Sequence, residues 1–520
     1  MGANTSKRKR ILWIDDEIEI LEPLVLGLSD TYDVVTATNG IDGTELFIKE
    51  DFDLVILDEQ MPGICGLEAL DNLKAHKPHV PVFFLTKSES QDMADKAISH
   101  FVDNFFVKPI NIPTLKSQLN FLFNKNGLQL ARQRENFCRS CSAISFSIGQ
   151  CNSFADWAEL YQRVVELELL TTHYPDLASM PLELKKEANA RFAKFIMVNY
   201  EKWCVCRPSE APLFSHRILS EKVKPLITAG QKVALIVIDN FRLDQWMLIS
   251  NELKDDFDIK TDIYCSILPT STQYSRNAIF AGMWPADIKN NMPQYWSDGE
   301  SEGSLNKHER ELLESYFSRQ KLSPAKTCSY YKVGDDKSGM EYIRKFGGYT
   351  KNALNALVFN FVDELSHKGI DVQLISDLTL TDAAYRSVTL SWFQHGVLKE
   401  ILNVFGNNGY KIILTTDHGA IRVSNPVTVT GTAAINSNMR FKVDSNLTCN
   451  YKDVLEISDP AKAGLTKSRL SDKYIFAVRD DFFVYPNNRA EYVDKFQGKL
   501  QHGGISLEEM LLPLATLTKK

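Results

Sequence analysis

Val233-Ala234-Leu235-Ile236-Val237-Ile238-Asp239 decides the architecture of the larger part of this chain. An unbroken apolar run of this length predicts a strand covered on both faces, and such strands belong to parallel sheets flanked by helices. The run ends in a carboxylate. The pattern recurs: Ala356 to Val362 leads into Asp363, and Ile412 to Thr416 into Asp417-His418-Gly419. Three strands therefore deliver acidic residues to their C-terminal ends, where open α/β sheets place their chemistry.

Histidines accompany those carboxylates. His367 lies one helical turn after Asp363, so both face the same side. His418 follows Asp417 directly, and His502 precedes Gly503-Gly504, where close backbone approach is cheap. Three Asp and three His make six ligands, enough for two Zn2+ with open positions for substrate. In Pro269-Thr270-Ser271-Thr272, Thr272 precedes a helical stretch from Ser275 to Ala281. Its oxygen would meet partial positive charge there, and zinc would activate it as a nucleophile. The competing reading is a plain helix cap by Thr270, Ser271 or Thr272. Arg276, one turn on, and Arg242 are candidates for binding a substrate's charge or for structural ion pairs.

Upstream, residues 8 to about 122 show a second strand–helix alternation. Ile11 to Ile14 ends in Asp15-Asp16 and Leu54 to Leu57 in Asp58; Val34-Val35, Pro81 to Thr86 and Phe105 to Lys108 are three further strand signals. This predicts a five-stranded parallel sheet. Carboxylates converging at strand ends call for Mg2+, a lysine opposite stabilises added negative charge, and Thr86 offers a hydroxyl to a phosphoryl oxygen. The set reads as an aspartate that accepts a phosphoryl group.

Between the two lies a helical region, residues 123 to about 222. Ser153-Phe154-Ala155-Asp156 is a capping box ahead of Trp157, Leu160, Tyr161 and Val164 at helical spacing. Phe192, Phe195, Ile196, Tyr200 and Trp203 form a second apolar face. A small helical bundle is expected, a spacer or a dimerisation element. Cys138/Cys141 and Cys204/Cys206 have the look of zinc half-sites, but buried or idle thiols fit their spacing and lack of a nearby His better.

The first 122 residues resemble two-component receiver domains through Ile11-Leu12-Trp13-Ile14-Asp15-Asp16-Glu17, Leu57-Asp58-Glu59-Gln60-Met61-Pro62-Gly63, Leu85-Thr86-Lys87 and Phe106-Val107-Lys108-Pro109. The resemblance implies a flavodoxin-like fold with Asp58 as phosphoacceptor. It also implies Mg2+ held by Asp15, Asp16, Asp58 and the Glu59 main-chain carbonyl, and Thr86, Lys108 and Phe105 as switch residues with a cis Lys108-Pro109 bond. Residues 223–520 resemble the alkaline phosphatase superfamily, and Asp239-Asn240-Phe241-Arg242 and His502-Gly503-Gly504-Ile505-Ser506-Leu507-Glu508-Glu509 resemble its PglZ branch. That resemblance implies one zinc on Asp239, Thr272, Asp417 and His418, a second on Asp363, His367 and His502, and a threonine-nucleophile phosphodiesterase.

Together the three parts resemble the PorX-type response regulators of type IX secretion and gliding in Bacteroidetes. This implies a PorY-like sensor histidine kinase, homodimerisation on phosphorylation, and an extracytoplasmic-function sigma factor and a secretion-motor component as partners. It further implies short or cyclic oligonucleotides as substrate.

Size and charge agree. At ~150 residues per domain, 520 residues predict three or four domains. A 44% hydrophobic, 24% charged composition excludes wholesale disorder. No apolar run approaches the roughly 18 residues of a spanning helix, and the N-terminus lacks a secretory h-region. Nine scattered cysteines suit reduced thiols, so a cytoplasmic protein is expected. Met1 to Ser6 fits a myristoylation pattern that is frequent by chance. A net charge of -7, with no recognition helix in view, argues against a direct duplex-DNA binder. The aromatic stretch of about 284–352, with Trp284, Trp296, Tyr330 and Tyr331, is a candidate cap that stacks bases, or else packing. A metal-dependent phosphodiesterase is expected; the alternative is a binding or scaffold regulator with vestigial hydrolysis.

Overall fold

The computed structural model describes residues 8–87, 102–110, 112–297, 306–322, 328–365, 381–431, 438–449, 454–467, 469 and 471–520. The chain separates into two units, Met1–Glu135 and Asn136–Lys520. The division falls within one long helix, Ile112–Ile148.

The first unit is an α/β sheet of five parallel strands. Arg10–Ile14 pairs with both Asp33–Ala37 and Leu54–Asp58, and Val82–Thr86 and Asn104–Val107 complete the order 2-1-3-4-5. The strand Leu54–Asp58 is buried at every position, as a central strand with helices on both faces must be. Two apolar clusters, one on each face, contain Leu12, Val55 and Leu57 on one side and Ile11, Trp13 and Ile56 on the other.

The second unit is built on a six-stranded sheet. Its order is Phe257–Cys265, Leu511–Lys519, Lys411–Thr415, Val233–Ile238, Leu354–Phe359 and Cys328–Val333. The last four run parallel, and Leu511–Lys519 lies antiparallel to both of its neighbours. Val233–Ile238 is buried throughout, with Ile236 opposite Leu414 on one side and Leu357 on the other.

The helices expected as a spacer are part of this second unit. Ser153 caps Phe154–Leu170 through the full capping box, and Ser179–Val205 packs beside it. Their apolar faces join one core with the sheet. The contact is polar as well. Asn189 Nδ2 donates to Glu508 Oε2 at 3.0 Å, and Leu507 N–H donates to Asn189 Oδ1 at 2.8 Å.

Two features differ from the sequence reading. Residues 421–501 form small sheets of short strands rather than continuing the α/β alternation. Asn425–Thr430 shows why: its alternating burial marks a half-exposed strand, not a central one. The aromatic stretch, expected as a cap, is largely fold. Cys328–Val333 is the sheet's edge strand, Trp284 packs on His216 with ring centroids 4.1 Å apart, Trp296 meets Tyr274 edge-on at 5.6 Å, and Tyr330 meets Phe280 at 5.4 Å. Among the described residues, no helix is long and apolar enough to cross a membrane.

Candidate functional sites

In the first unit, strand ends gather Asp15, Asp16 and Asp58, with ligand atoms all within 4.8 Å of one another. Lys108 Nζ sits 2.8 Å from Asp15 Oδ2 and 2.7 Å from Asp58 Oδ1. Burial and the charge of Asp15 hold Asp58 above the usual carboxylate range despite the pull of Lys108. Lys108 is held above the usual lysine value: burial pulls it down, but its bonds to Asp15 and Asp58 outweigh this. Three carboxylate donors converging at one point suit a hard divalent cation. The Lys108-Pro109 peptide is cis, and Phe105 stacks on Phe84 at 6.5 Å, half-buried.

Glu59 departs from its expected role. Its main-chain carbonyl accepts from Gly66 N–H at 2.8 Å, so it is not turned toward a cation. This close approach needs glycine, because a Cβ on Gly66 would overlap the Asp58 carbonyl oxygen and Glu59 Cα. The Glu59 side chain instead accepts a short hydrogen bond from the Thr86 hydroxyl at the end of the neighbouring strand.

In the second unit, Asp239 follows Val233–Ile238, and Asp417-His418 follow Lys411–Thr415. Their ligand atoms also lie within 4.8 Å of one another, all buried. Thr272 opens the helix Thr272–Ala281, which starts three residues earlier than its sequence pattern indicates. Ser271 occupies the N-cap position without a side-chain cap bond, and Thr272 Oγ1 lies 3.0 Å from His418 Nε2 and 3.5 Å from Asp239 Oδ1. The hydroxyl thus faces the acidic cluster rather than its own helix end.

The imidazole of His418 is set for ligation. Burial holds its pKa below the usual value, although Asp239 and Asp363 oppose this. Nδ1 lies 3.2 Å from the Gly419 carbonyl, which can only accept, so Nδ1 carries the hydrogen and Nε2 keeps a lone pair toward Asp239 and Asp417. Gly419 has no alternative there: a Cβ would overlap the Glu508 carbonyl. Burial, reinforced by Asp417 and Asp363, drives Asp239 well above the carboxylate range although Arg276 opposes it. Asp417 is raised as well, again first by burial. Asp417 Oδ2 is buried and accepts no hydrogen bond among the described residues. Two buried carboxylates, a neutral imidazole nitrogen and a hydroxyl at one point fit a borderline-soft divalent cation such as zinc.

The remaining candidates fall into place around this group. The strand expected to reach Asp363 stops at Phe359, and Asp363 lies in the helical stretch that follows. Asn240, with φ 59°, ties it to the group: its N–H donates to Asp417 Oδ1 at 3.3 Å and its Nδ2 to Asp363 Oδ1 at 3.2 Å. The His502 ring stacks on His418 with centroids 4.1 Å apart, and its Nδ1 lies 3.2 Å from the Thr270 carbonyl. His367 lies outside the described residues. Neither Asp363 nor His502 joins the group at ligand distance.

The two arginines are corrected. Arg276 pairs with Asp239 Oδ2 and Glu309 Oε1, each at 2.5 Å, and Arg242 with Asp244 Oδ2 at 2.6 Å. Both guanidinium groups are fully buried on carboxylates and so are not aimed at substrate. Glu309 is absent from the sequence reading, since nothing in its local pattern marks it, and Asn240 is quoted there only within a family stretch, without a role. Among the described residues the cysteine pairs build no metal site: none of the four joins a metal-competent group.

A phosphoacceptor-like acidic pocket in one unit and a buried Asp/His/Thr group in the other define a response regulator with an alkaline phosphatase-like output. Family comparison agrees. Residues 11–120 match the response regulator receiver domain, 128–204 the PorX response regulator linker domain and 218–517 the BREX system PglZ alkaline phosphatase-like domain. The last match spans more than half of the chain, which belongs to the PglZ alkaline phosphatase-like family; the three in order are those of a PorX-like response regulator.

Chemotaxis protein CheY-3 of Vibrio cholerae is 31% identical over 132 residues, 24% of this chain and 99% of that protein. A cyclic di-GMP phosphodiesterase of Thermotoga maritima is 23% identical over 148 residues, 28% of this chain and 39% of that protein. Among solved structures, a receiver domain protein from Clostridium thermocellum is 31% identical with a TM-score of 0.22, covering 23% of this chain and 98% of that one.

Proposed function

We propose that this protein is a response regulator in which phosphorylation at Asp58 controls dimerisation and a zinc-dependent phosphodiesterase acting on short or cyclic oligonucleotides. The observation that carries the output is Thr272 Oγ1 at 3.0 Å from His418 Nε2, inside the buried Asp239, Asp417 and His418 group. Zinc bound there supplies Lewis-acid polarisation and makes the threonine hydroxyl acidic. Thr272 Oγ1, its proton given up, would form the new bond to phosphorus as the bond to the leaving oxygen breaks and that oxygen leaves as an alcohol carrying a proton; water would then cleave the Thr272–phosphorus link, releasing the phosphate monoester and restoring the hydroxyl. The helix that begins at Thr272 holds the oxygen in place and turns its positive end toward the phosphoryl oxygens.

Diesters suit the site better than monoesters. Arg276 and Arg242, the cations nearest in sequence to the group, are committed to carboxylates, and a monoester brings a second charge to neutralise. A relative named as a cyclic di-GMP phosphodiesterase is in keeping with a signalling nucleotide. Asp363, His367 and His502 remain the set proposed for a second zinc. In the receiver, Mg2+ on Asp15, Asp16 and Asp58 serves phosphoryl transfer from a PorY-like sensor kinase. A role in type IX secretion and gliding, with a sigma factor and a motor component as partners, is carried over from the resemblance to PorX-type regulators, with which the linker match is in keeping. Nine scattered cysteines suit a cytoplasmic setting of reduced thiols.

Thr272→Val is the test. Hydrolysis of a nucleotide diester is expected to fall by about a thousandfold or more in protein assayed at saturating zinc, with zinc occupancy measured alongside. Undiminished turnover would remove Thr272 from the mechanism. Zinc binding by the wild type without any diester turnover would favour the scaffold-regulator reading.

A further inference from the structure

Arg276 and Glu309 stand immediately behind the Asp239 carboxylate, and their geometry divides its two oxygens. Arg276 Nη1 takes Oδ2 at 2.5 Å. Oδ1 faces Thr272 Oγ1 at 3.5 Å and His418 Nε2 at 3.7 Å. Thr272 and Arg276 are four residues apart on one helix, so one helical face presents both the hydroxyl and the guanidinium to Asp239.

Arg276 is itself held from its other edge. Its Nε donates to Glu309 Oε1 at 2.5 Å, and Nη1 reaches Asn360 Oδ1 at 3.5 Å and Asp417 Oδ2 at 3.9 Å. Glu309 meets three donors. Asn306 Nδ2 lies 3.1 Å from Oε1, Arg276 Nε shares that oxygen, and Tyr330 OH donates to Oε2. Donors on both oxygens fit the ionised carboxylate. Asn306 also donates to the Thr272 carbonyl at 3.1 Å. Arg276, Asn306, Glu309 and Tyr330 all come from the stretch between Thr272 and the strand Leu354–Phe359.

We infer that Glu309 is a positioning residue for the metal group: it pins Arg276 to one oxygen of Asp239, so that the other is presented to a divalent cation. Glu309 also offsets the guanidinium charge, which would otherwise bear undivided on a site built to receive a cation. The inference rests on the zinc reading above, and it assigns the polar centre of the expected aromatic cap a role in metal affinity rather than in base stacking.

The test is direct zinc titration of the metal-stripped full-length protein, without substrate. Glu309→Gln keeps the shape and removes the charge. Its zinc affinity is expected to fall by about 10- to 100-fold, the usual effect of losing a partner behind a metal ligand. The apo variant's melting temperature reads any purely structural role. A lowered melting temperature with zinc affinity within about twofold of wild type overturns the inference. If Glu309→Gln does not fold, Tyr330→Phe removes only one donor to Glu309 and is expected to weaken zinc binding several-fold; a folded Tyr330→Phe with wild-type affinity overturns it equally. A wild-type protein that binds no zinc overturns the metal reading itself, an outcome separate from an unaltered Glu309→Gln.

Discussion

At the scale of single residues, Glu59 shows how a resting contact shapes a switch. The Thr86 hydroxyl donates to Glu59, and a phosphoryl group on Asp58 needs that same donor. Glu59→Ala removes the competing acceptor and one negative charge beside the phosphorylation point. The expected result is about five- to tenfold tighter binding of beryllofluoride with Mg2+, the worth of roughly one hydrogen bond, measured by calorimetric titration. Unchanged binding would show that Glu59 does not compete. Asp58 was legible from sequence because its position after an apolar run is a local signal. The partner of Thr86 was not, because it depends on side-chain direction across two strands.

The same distinction separates Asp239 from Arg276. Asp239 is marked by the strand before it. Arg276 stays open in the sequence between a substrate's charge and a structural ion pair, because its counter-ion, Glu309, comes from a distant helix that no local pattern connects to it.

At the scale of elements, the helices Phe154–Leu170 and Ser179–Val205 meet the hydrolase domain through a buried charge cluster. Lys185 Nζ lies 2.6 Å from Glu168 Oε1 and 3.5 Å from both Asp382 Oδ2 and Glu508 Oε1. Arg386 Nη1 joins Glu168 to Asp244, at 3.6 and 3.1 Å. Lys185→Met leaves buried carboxylates without their cation and is expected to cost about 3–5 kcal/mol in denaturant unfolding of this unit. A loss below about 1 kcal/mol would mean the arginines compensate. The helical periodicity of this region and its capping box were plain in the sequence. Its membership of the hydrolase core was not, since apolar spacing says which face is buried but not against what.

At the scale of the molecule, acid sensitivity has an identifiable source. His216 packs between Trp284 and Phe214, and burial, aided by Arg217, pushes its pKa down to about 3. The unfolded ring titrates near its ordinary value, so the unfolded state binds the proton first. This group's contribution is therefore complete above about pH 6.5 and is lost as pH falls from there toward about 3. His216→Phe is expected to narrow the drop in melting temperature between pH 7.5 and pH 5, by several degrees on a calorimetric scan; an equal drop in both proteins would place the sensitivity elsewhere.

Much of the architecture followed from where apolar runs end in Asp. The small sheets of residues 421–501 did not, because half-exposed strands carry weaker patterns than buried ones.

The antiparallel strand Leu511–Lys519 sits inside the large sheet, between Lys411–Thr415 and Phe257–Cys265, and not at its edge. A nascent polypeptide leaving the ribosome has every receiver strand in hand by Val107. The alkaline phosphatase-like sheet keeps Phe257–Cys265 waiting for its partner until Leu511–Lys519 has emerged. Receiver before hydrolase is thus the order of synthesis-coupled folding, and until Leu511–Lys519 arrives the half-built sheet exposes two unpaired strand edges to whatever chaperones the cell supplies.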